Sequence, residues 1–240
     1  MNLKFLLRRI FRKLVPPIFH FFGYDNFTGL KITKSIDLIH LGSKNAKWVI
    51  PKEQLTKASI CYCVGCGEDI SFDLSLIEVF GCDVYAFDPT PRAIEYANKL
   101  AGKNKKYHFY ETGLWSHSDT LKFYTPANPE NVSHSIVNLQ KTTKYIELKV
   151  DRLKSIMDQL GHRHLDLLKI DIEGAEYQVI KSIVEDKLEI KTICVEFDEY
   201  FHAIDKQYRA RITDCAKSIL ALGYILVWAQ GDGNYTFTKK

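Results

Sequence analysis

Short apolar runs alternate with stretches patterned for helix from Ser59 to the end of the 240-residue chain, and no other feature constrains the fold as tightly. The runs are SICYCV (59–64), VYAF (84–87), YHFY (107–110), LDLLKI (165–170), TICVEF (192–197) and YILVWA (224–229). They are rich in β-branched and aromatic residues and carry little polar alternation, which suits strands of a parallel sheet buried on both faces. Between them, Ile70, Leu74, Ile77 and Phe80 recur at helical spacing. So do Ala175, Val179, Ile180, Ile183 and Val184, and then Ile212, Cys215, Ala216, Ile219 and Leu222, the last set closed by Gly223. This order predicts βαβ units and a doubly wound α/β sheet. YILVWA and NYTFT are joined by Gly-Asp-Gly, a hairpin turn, so the final strand is expected to run antiparallel to its neighbour.

Residues 1–41 read differently from 42–240, and we treat the latter as one domain with 1–41 as an appended segment. The N-terminus, MNLKFLLRRIFRKLVPP, predicts a basic amphipathic helix over 3–14 ended by Pro16-Pro17. Its apolar run is far below the roughly 20 residues needed to span a bilayer. The readings that remain are peripheral attachment to an anionic membrane face, a helix packed on the domain, or a frayed end. Thirty-three basic against 29 acidic residues, with no arginine stripe interleaved with aromatics outside the first few residues, argue against nucleic acid as a partner. The six cysteines have no zinc-site spacing and sit largely in apolar runs, so they read as reduced thiols of a cytoplasmic protein. The remainder of the first 58 residues is irregular in pattern and is expected to form a lid or side layer.

Chemistry is expected where strands end. The first strand runs into Val64-Gly65-Cys66-Gly67-Glu68-Asp69 before a helix, and Asp88 ends the second strand 21 residues past Gly67. Glycines allow a sharp turn and close ligand approach, and an acid at that distance is placed to accept ribose hydroxyls. Strand, G-x-G, helix, strand and terminal acid in this order point to an adenosine-containing cofactor. A dinucleotide wants a third glycine beneath its pyrophosphate. Ile70 occupies that place and Asp69 adds a repelling charge, whereas S-adenosylmethionine carries no phosphate and an ammonium that suits a carboxylate. The alternative is an Asp cap beside an incidental turn.

LDLLKIDIEGAEYQVI (165–180) turns from an apolar strand into Asp171, Glu173 and Glu176. Capping explains one such carboxylate readily and three less well. Asp171 and Glu173 are therefore candidate catalytic groups, and Glu176, a turn further on, a structural partner. Glu196 falls at the next strand tip, and Asp171, Glu173 and Glu196 together could share a hard divalent cation. His134 in NVSHSIVN is a further candidate base, with Ser133 and Ser135 able to grip a polyol; His202 lies in a similar loop.

These segments resemble the FkbM-type methyltransferases. LGHRHLDLLKIDIEGAEYQVI carries most of the resemblance, supported by VGCGEDISF (64–72), VYAFDPTP (84–91), ETGLW (111–115) and VEF (195–197). The resemblance implies a Rossmann-like seven-stranded fold and S-adenosylmethionine-dependent O-methylation of a sugar, glycan or other small polar hydroxyl. It implies Gly65 and Gly67 under the methionine part, Asp88 at the ribose, Gly113, Leu114 and Trp115 bordering the adenine, and Asp171 with Glu173 at the donor–acceptor gap. Cys63 stands where such enzymes usually carry an acid before the first glycine, so Glu68 or Asp69 is expected to meet the donor's ammonium. Two other readings stand beside this one. A non-catalytic scaffold would follow from the altered turn. An NAD-dependent oxidoreductase would use one of two Y-x-x-x-K pairs, Tyr145–Lys149 or Tyr177–Lys181.

Overall fold

The computed structural model describes residues 23–44, 46–128, 130–231 and 233–239. The expected helix over 3–14 lies outside them. The six sequence-predicted strands all form, as β3 (Ile60–Val64), β4 (Asp83–Phe87), β5 (Tyr107–Tyr110), β9 (Leu165–Ile170), β10 (Ile190–Glu196) and β11 (Tyr224–Ala229). With β12 (Asn234–Lys239) they make one seven-stranded sheet in the order β11-β12-β10-β9-β3-β4-β5. All neighbours are parallel except at β12, which is antiparallel to both β10 and β11. The hairpin is therefore present, but the chain inserts its last strand between β10 and β11 rather than adding it at the edge. This is the Rossmann-like methyltransferase fold.

Each face of the sheet is covered because each strand is apolar on both sides. One face packs on α3 (Leu153–Leu160), α4 (Glu176–Asp186) and α5 (Tyr208–Ala221), through Met157, Val179, Ile183, Ile212 and Ile219 against Leu168, Ile193 and Phe237. The other packs on α1 (Ser71–Phe80) and α2 (Pro91–Ala101), through Phe72, Leu76, Ala97 and Ala101 against Cys61, Cys63, Val84 and Leu167. The cysteines serve here as small buried hydrophobes, and all six are free thiols.

Two pieces were not separable as elements in the sequence. Residues 23–58, expected as a side layer, contribute a hairpin of β1 (Leu38–Leu41) and β2 (Trp48–Pro51). Trp48 and Ile50 of that hairpin join the core on the α1 side. Residues 113–152 form a second small sheet of β6 (Gly113–Trp115), β7 (Asp119–Tyr124) and β8 (Tyr145–Arg152), in the order β6-β8-β7. Among the described residues no helix is long and apolar enough to cross a membrane.

Candidate active site

Strand order reverses between β3 and β9: the chain leaves β3 for β4 on one side and later returns to β9 on the other. Loops diverge at such a point and leave a crevice beyond the carboxyl ends of the strands. A cavity of about 410 Å³ opens there. Its walls are the glycine turn, the ends of β4 and β9, β6, the 132–136 loop and the start of the second hairpin strand at Ala46 and Trp48.

Gly65 has φ +78°, and a Cβ on it would lie 1.6 Å from the Asp171 carbonyl oxygen. The close approach of the β3 and β9 exits is by itself enough to require glycine there. The Asp171 N–H donates to the Val64 carbonyl at 3.2 Å, locking the two exits together. Gly174 (φ +99°) has a similar role: a Cβ there would meet Val137 at 2.4 Å, so only glycine lets the 132–139 loop close over the β9 exit.

Asp88 lines the cavity, but its carboxylate is committed to the chain. Oδ2 accepts from the N–H groups of Cys66 (2.9 Å) and Gly67 (3.0 Å). Oδ1 accepts from the Thr90 N–H (2.9 Å) and hydroxyl (2.6 Å). Four bonds fill the acceptor capacity of a carboxylate, so a ribose hydroxyl reaches Asp88 only by displacing one of them. Glu68 forms a fork with Arg92 (Nε–Oε1 2.8 Å, Nη2–Oε2 2.7 Å), and the same guanidinium donates to the carbonyls of Glu130 and Asn131. Asp69 accepts from the Ser43 hydroxyl (2.6 Å) and Ser71 N–H (2.9 Å). Burial opposes its ionisation, but these bonds outweigh burial and hold it below the usual carboxylate range.

The β9 side is different. Glu173 sits at φ +53°, a backbone conformation uncommon outside glycine, fixed by the Ser135 hydroxyl donating to its carbonyl at 2.6 Å. Burial pushes its carboxyl up to about 7, with the Asp171 charge adding and the Ser133 hydroxyl and Lys169 partly offsetting. Glu176 is fully buried; its Oε1 accepts from the Gly174 N–H at 2.8 Å, so it holds the loop that carries Glu173. Burial pushes Glu176 to about 7 as well, and burial and the neighbouring Glu176 raise the Asp198 carboxyl. Glu176 Oε2 and Asp198 Oδ2 are buried with no hydrogen-bond donor, which favours the protonated form of each. His134 lies 2.9 Å through Nδ1 from the Val132 carbonyl, which can only accept. Nδ1 therefore carries hydrogen, and in the neutral ring Nε2 is left as acceptor.

Asp171, Glu173, His134, Gly65, Gly67, Glu68, Asp69, Asp88, Gly113 and Leu114 all line the cavity. Trp115 does not, because side chains alternate along a strand and it follows inward-facing Leu114. Glu196 does not either. It belongs to β10, one strand beyond β9 from the crevice, and pairs in register with Asn234. The expected Asp171, Glu173 and Glu196 cation site is not assembled: among the described residues no three His, Cys, Asp or Glu side chains converge to hold a metal. Neither Y-x-x-x-K pair reaches the cavity: Tyr145 lies under the Lys122 ammonium on the small sheet, and Tyr177 donates to Glu199 at 2.8 Å. His202 is exposed.

Two further ionisable groups, Asp73 and Lys169, line the cavity. Asp73, in the first turn of α1, is buried against the cavity and pushed by burial to about 6, with Lys169 offsetting. Lys169, within the apolar run LDLLKI, is 6% exposed. Its signal was present in the sequence as a lone cation in a buried strand.

A mostly parallel sheet with its last strand inserted antiparallel beside β10, and a switch-point cavity at a glycine turn, is the α/β fold class of methyltransferases. Residues 65–225 match the Methyltransferase FkbM domain, and the chain belongs to that family. It is 31% identical over 136 residues to the "Probable methyltransferase-like protein 24" of Rattus norvegicus, covering 56% of this chain and 31% of that protein. It is 30% identical over 130 residues to the Homo sapiens protein of the same name, covering 53% and 29%. The matched region thus spans about a third of these curated relatives. Among solved structures it is similar to a methyltransferase FkbM from Methylobacillus flagellatus KT, with 13% identity, TM-score 0.49, and 77% of this chain and 44% of that one covered.

Proposed function

We propose that this protein is an S-adenosylmethionine-dependent O-methyltransferase acting on a hydroxyl of a sugar, glycan or other small polar acceptor. The observation that carries the proposal is the charge of the switch-point cavity. Its charged lining residues are Glu68, Asp69, Asp73, Asp88, Asp171, Glu173 and Lys169, six acids against one cation. Such a wall suits a ligand bearing sulfonium and ammonium groups and repels a pyrophosphate, which weighs against the dinucleotide alternative. A volume of about 410 Å³ falls within the range of small-molecule sites.

When bound, S-adenosylmethionine would supply a methyl group on a sulfonium, the acceptor oxygen forming the new C–O bond as the C–S bond breaks. The turn 65–69 with Asp69 and Asp73 would hold the amino-acid end. Asp88 with Thr90 would lie at the ribose, and Gly113, Leu114 and Phe123 would form the apolar slot for the base. Glu173, with proton affinity near neutral, is suited to take the acceptor's proton. His134 and Ser133, on the loop closing that side, would orient the acceptor, and the loop would exclude water. The same reading takes no nucleic acid as partner, a cytoplasmic location, and a membrane surface as the partner of the basic sequence before Pro16.

Calorimetry with S-adenosylhomocysteine and, separately, NADH tests the donor. Micromolar binding of the first alone is expected; NADH binding alone would favour the oxidoreductase reading, and binding of neither the non-catalytic one. Labelled donor offered with a panel of glycans and small alcohols then identifies the acceptor.

A further inference from the structure

Lys169 stands at the centre of the sheet. In register it faces Cys63 of β3 and Cys194 of β10, both fully buried. Its Nζ donates to the Gly65 carbonyl at 2.5 Å and lies 3.0 Å from Asp171 Oδ2. The Trp48 ring lies 5.5 Å away, and Asp73 faces it as a second negative charge. Burial disfavours its charge, but Asp171 and Asp73 outweigh burial and keep the ammonium charged.

A buried ammonium is expensive: the effective penalty is several kcal/mol even after pairing. Among cysteines and Leu167, an apolar side chain would fill the same space without that penalty. The position of the charge suggests why it is there. Gly65 belongs to the turn after β3, Asp171 to the exit of β9, and Trp48 to the hairpin, three separate walls of one cavity. Lys169 is also the only Lys or Arg among the described lining residues.

We propose that Lys169 is a positioning residue for methyl transfer: its ammonium ties the Gly65 carbonyl to the Asp171 carboxylate and so fixes the two cavity walls, and it tempers the negative field around Glu173. The proposal rests on the donor reading above. Glu173 is faced by Asp171 and Lys169 from β9, by Ser133 from the covering loop, and by Asp198 from the segment after β10. Of these, Lys169 alone is a cation. Removing it leaves Asp171 unpaired on this side and raises Glu173's proton affinity further.

The test uses the full chain and Lys169→Met, close in length and uncharged. Wild type is first titrated with S-adenosylhomocysteine; no binding at all would overturn the donor reading itself. If wild type binds, Lys169→Met is expected to bind roughly 10- to 100-fold more weakly, the range for losing a charge-assisted hydrogen bond. In the ligand-free protein, carbon-detected NMR is expected to show the Glu173 carboxyl titrating about one unit higher than in wild type. A merely space-filling lysine would move neither reading. Unchanged affinity together with an unchanged Glu173 midpoint overturns the role while leaving the donor reading intact. Should the methionine variant melt below the assay temperature, Lys169→Gln, polar but uncharged, carries the same expectation for Glu173.

Discussion

The two walls of the cavity use the same residue type in opposite ways. On the β3–β4 wall, Asp88, Asp69 and Glu68 give their oxygens to the chain: Asp88 to three backbone N–H groups and the Thr90 hydroxyl, Asp69 to Ser43 and Ser71, Glu68 to Arg92. On the β9–β10 wall, Glu173 is half-buried and Glu176 and Asp198 are buried, each with fewer donors, and all three hold protons more tightly than usual. A carboxylate whose acceptor sites are filled is a structural brace. One that is desolvated and underdonated is poised to exchange a proton near neutrality. An acid at a strand tip therefore says little about its role until its donors are counted.

The widest separation of the two walls should come from Glu173→Gln. It is expected to lower the methyl-transfer rate about 10²- to 10⁴-fold, the usual contribution of a general base, while the melting temperature stays near wild type. In wild type the rate should rise as pH passes about 7, where Glu173 ionises, and that limb should vanish in the variant. Steady-state kinetics with a productive acceptor across pH 5.5–8.5 checks both, and a retained limb would move the base elsewhere, with His134 next in line.

Asp88→Ala should do the reverse. It strands the N–H groups of Cys66, Gly67 and Thr90, and is expected to cost about 2–4 kcal/mol of stability as well as donor affinity. Urea unfolding measures the first. If stability were unchanged and only affinity fell, Asp88 would be a ligand-facing acid like those of the other wall.

The smallest effect concerns pH. Glu176 titrates near 7 when folded and in the ordinary carboxylate range when unfolded, so the folded state binds the extra proton between those values. Its contribution to stability is complete at acid pH and is lost as pH rises through about 7, at about 1.4 kcal/mol per unit. In Glu176→Gln the amide oxygen can still accept from Gly174, and the side chain has no carboxyl proton to lose. Unfolding free energies at pH 5.5 and 8 should therefore differ less in this variant than in wild type; an equal difference would show that Glu176 carries no special proton.

Strand–helix alternation was legible because a strand buried on both faces must be apolar throughout, and that demand is local. The GDG hairpin was legible from turn chemistry alone, although the insertion of β12 between β10 and β11 was not, since edge and interior positions make the same demand on Tyr235 and Phe237. The small sheet of β6, β7 and β8 escaped because Asp119–Tyr124 and Tyr145–Arg152 are partly solvated and join only across a loop of about 20 residues. In the site, the cavity's place and most of its lining followed from chain order. Trp115 and Glu196 did not, because their side chains face away from the crevice or sit one strand too far along.

Sequence alone thus determined the class of fold and the edge at which chemistry occurs, because hydrophobic period and turn residues act over a few neighbours. Only tertiary structure decided which acid braces and which is free to titrate. The partners that settle it, Cys66 and Gly67 for Asp88, Ser133 for Glu173 and the Gly65 carbonyl for Lys169, lie tens of residues away in the chain. Burial and electrostatics depend on that assembled neighbourhood, not on the residue's own place in the chain.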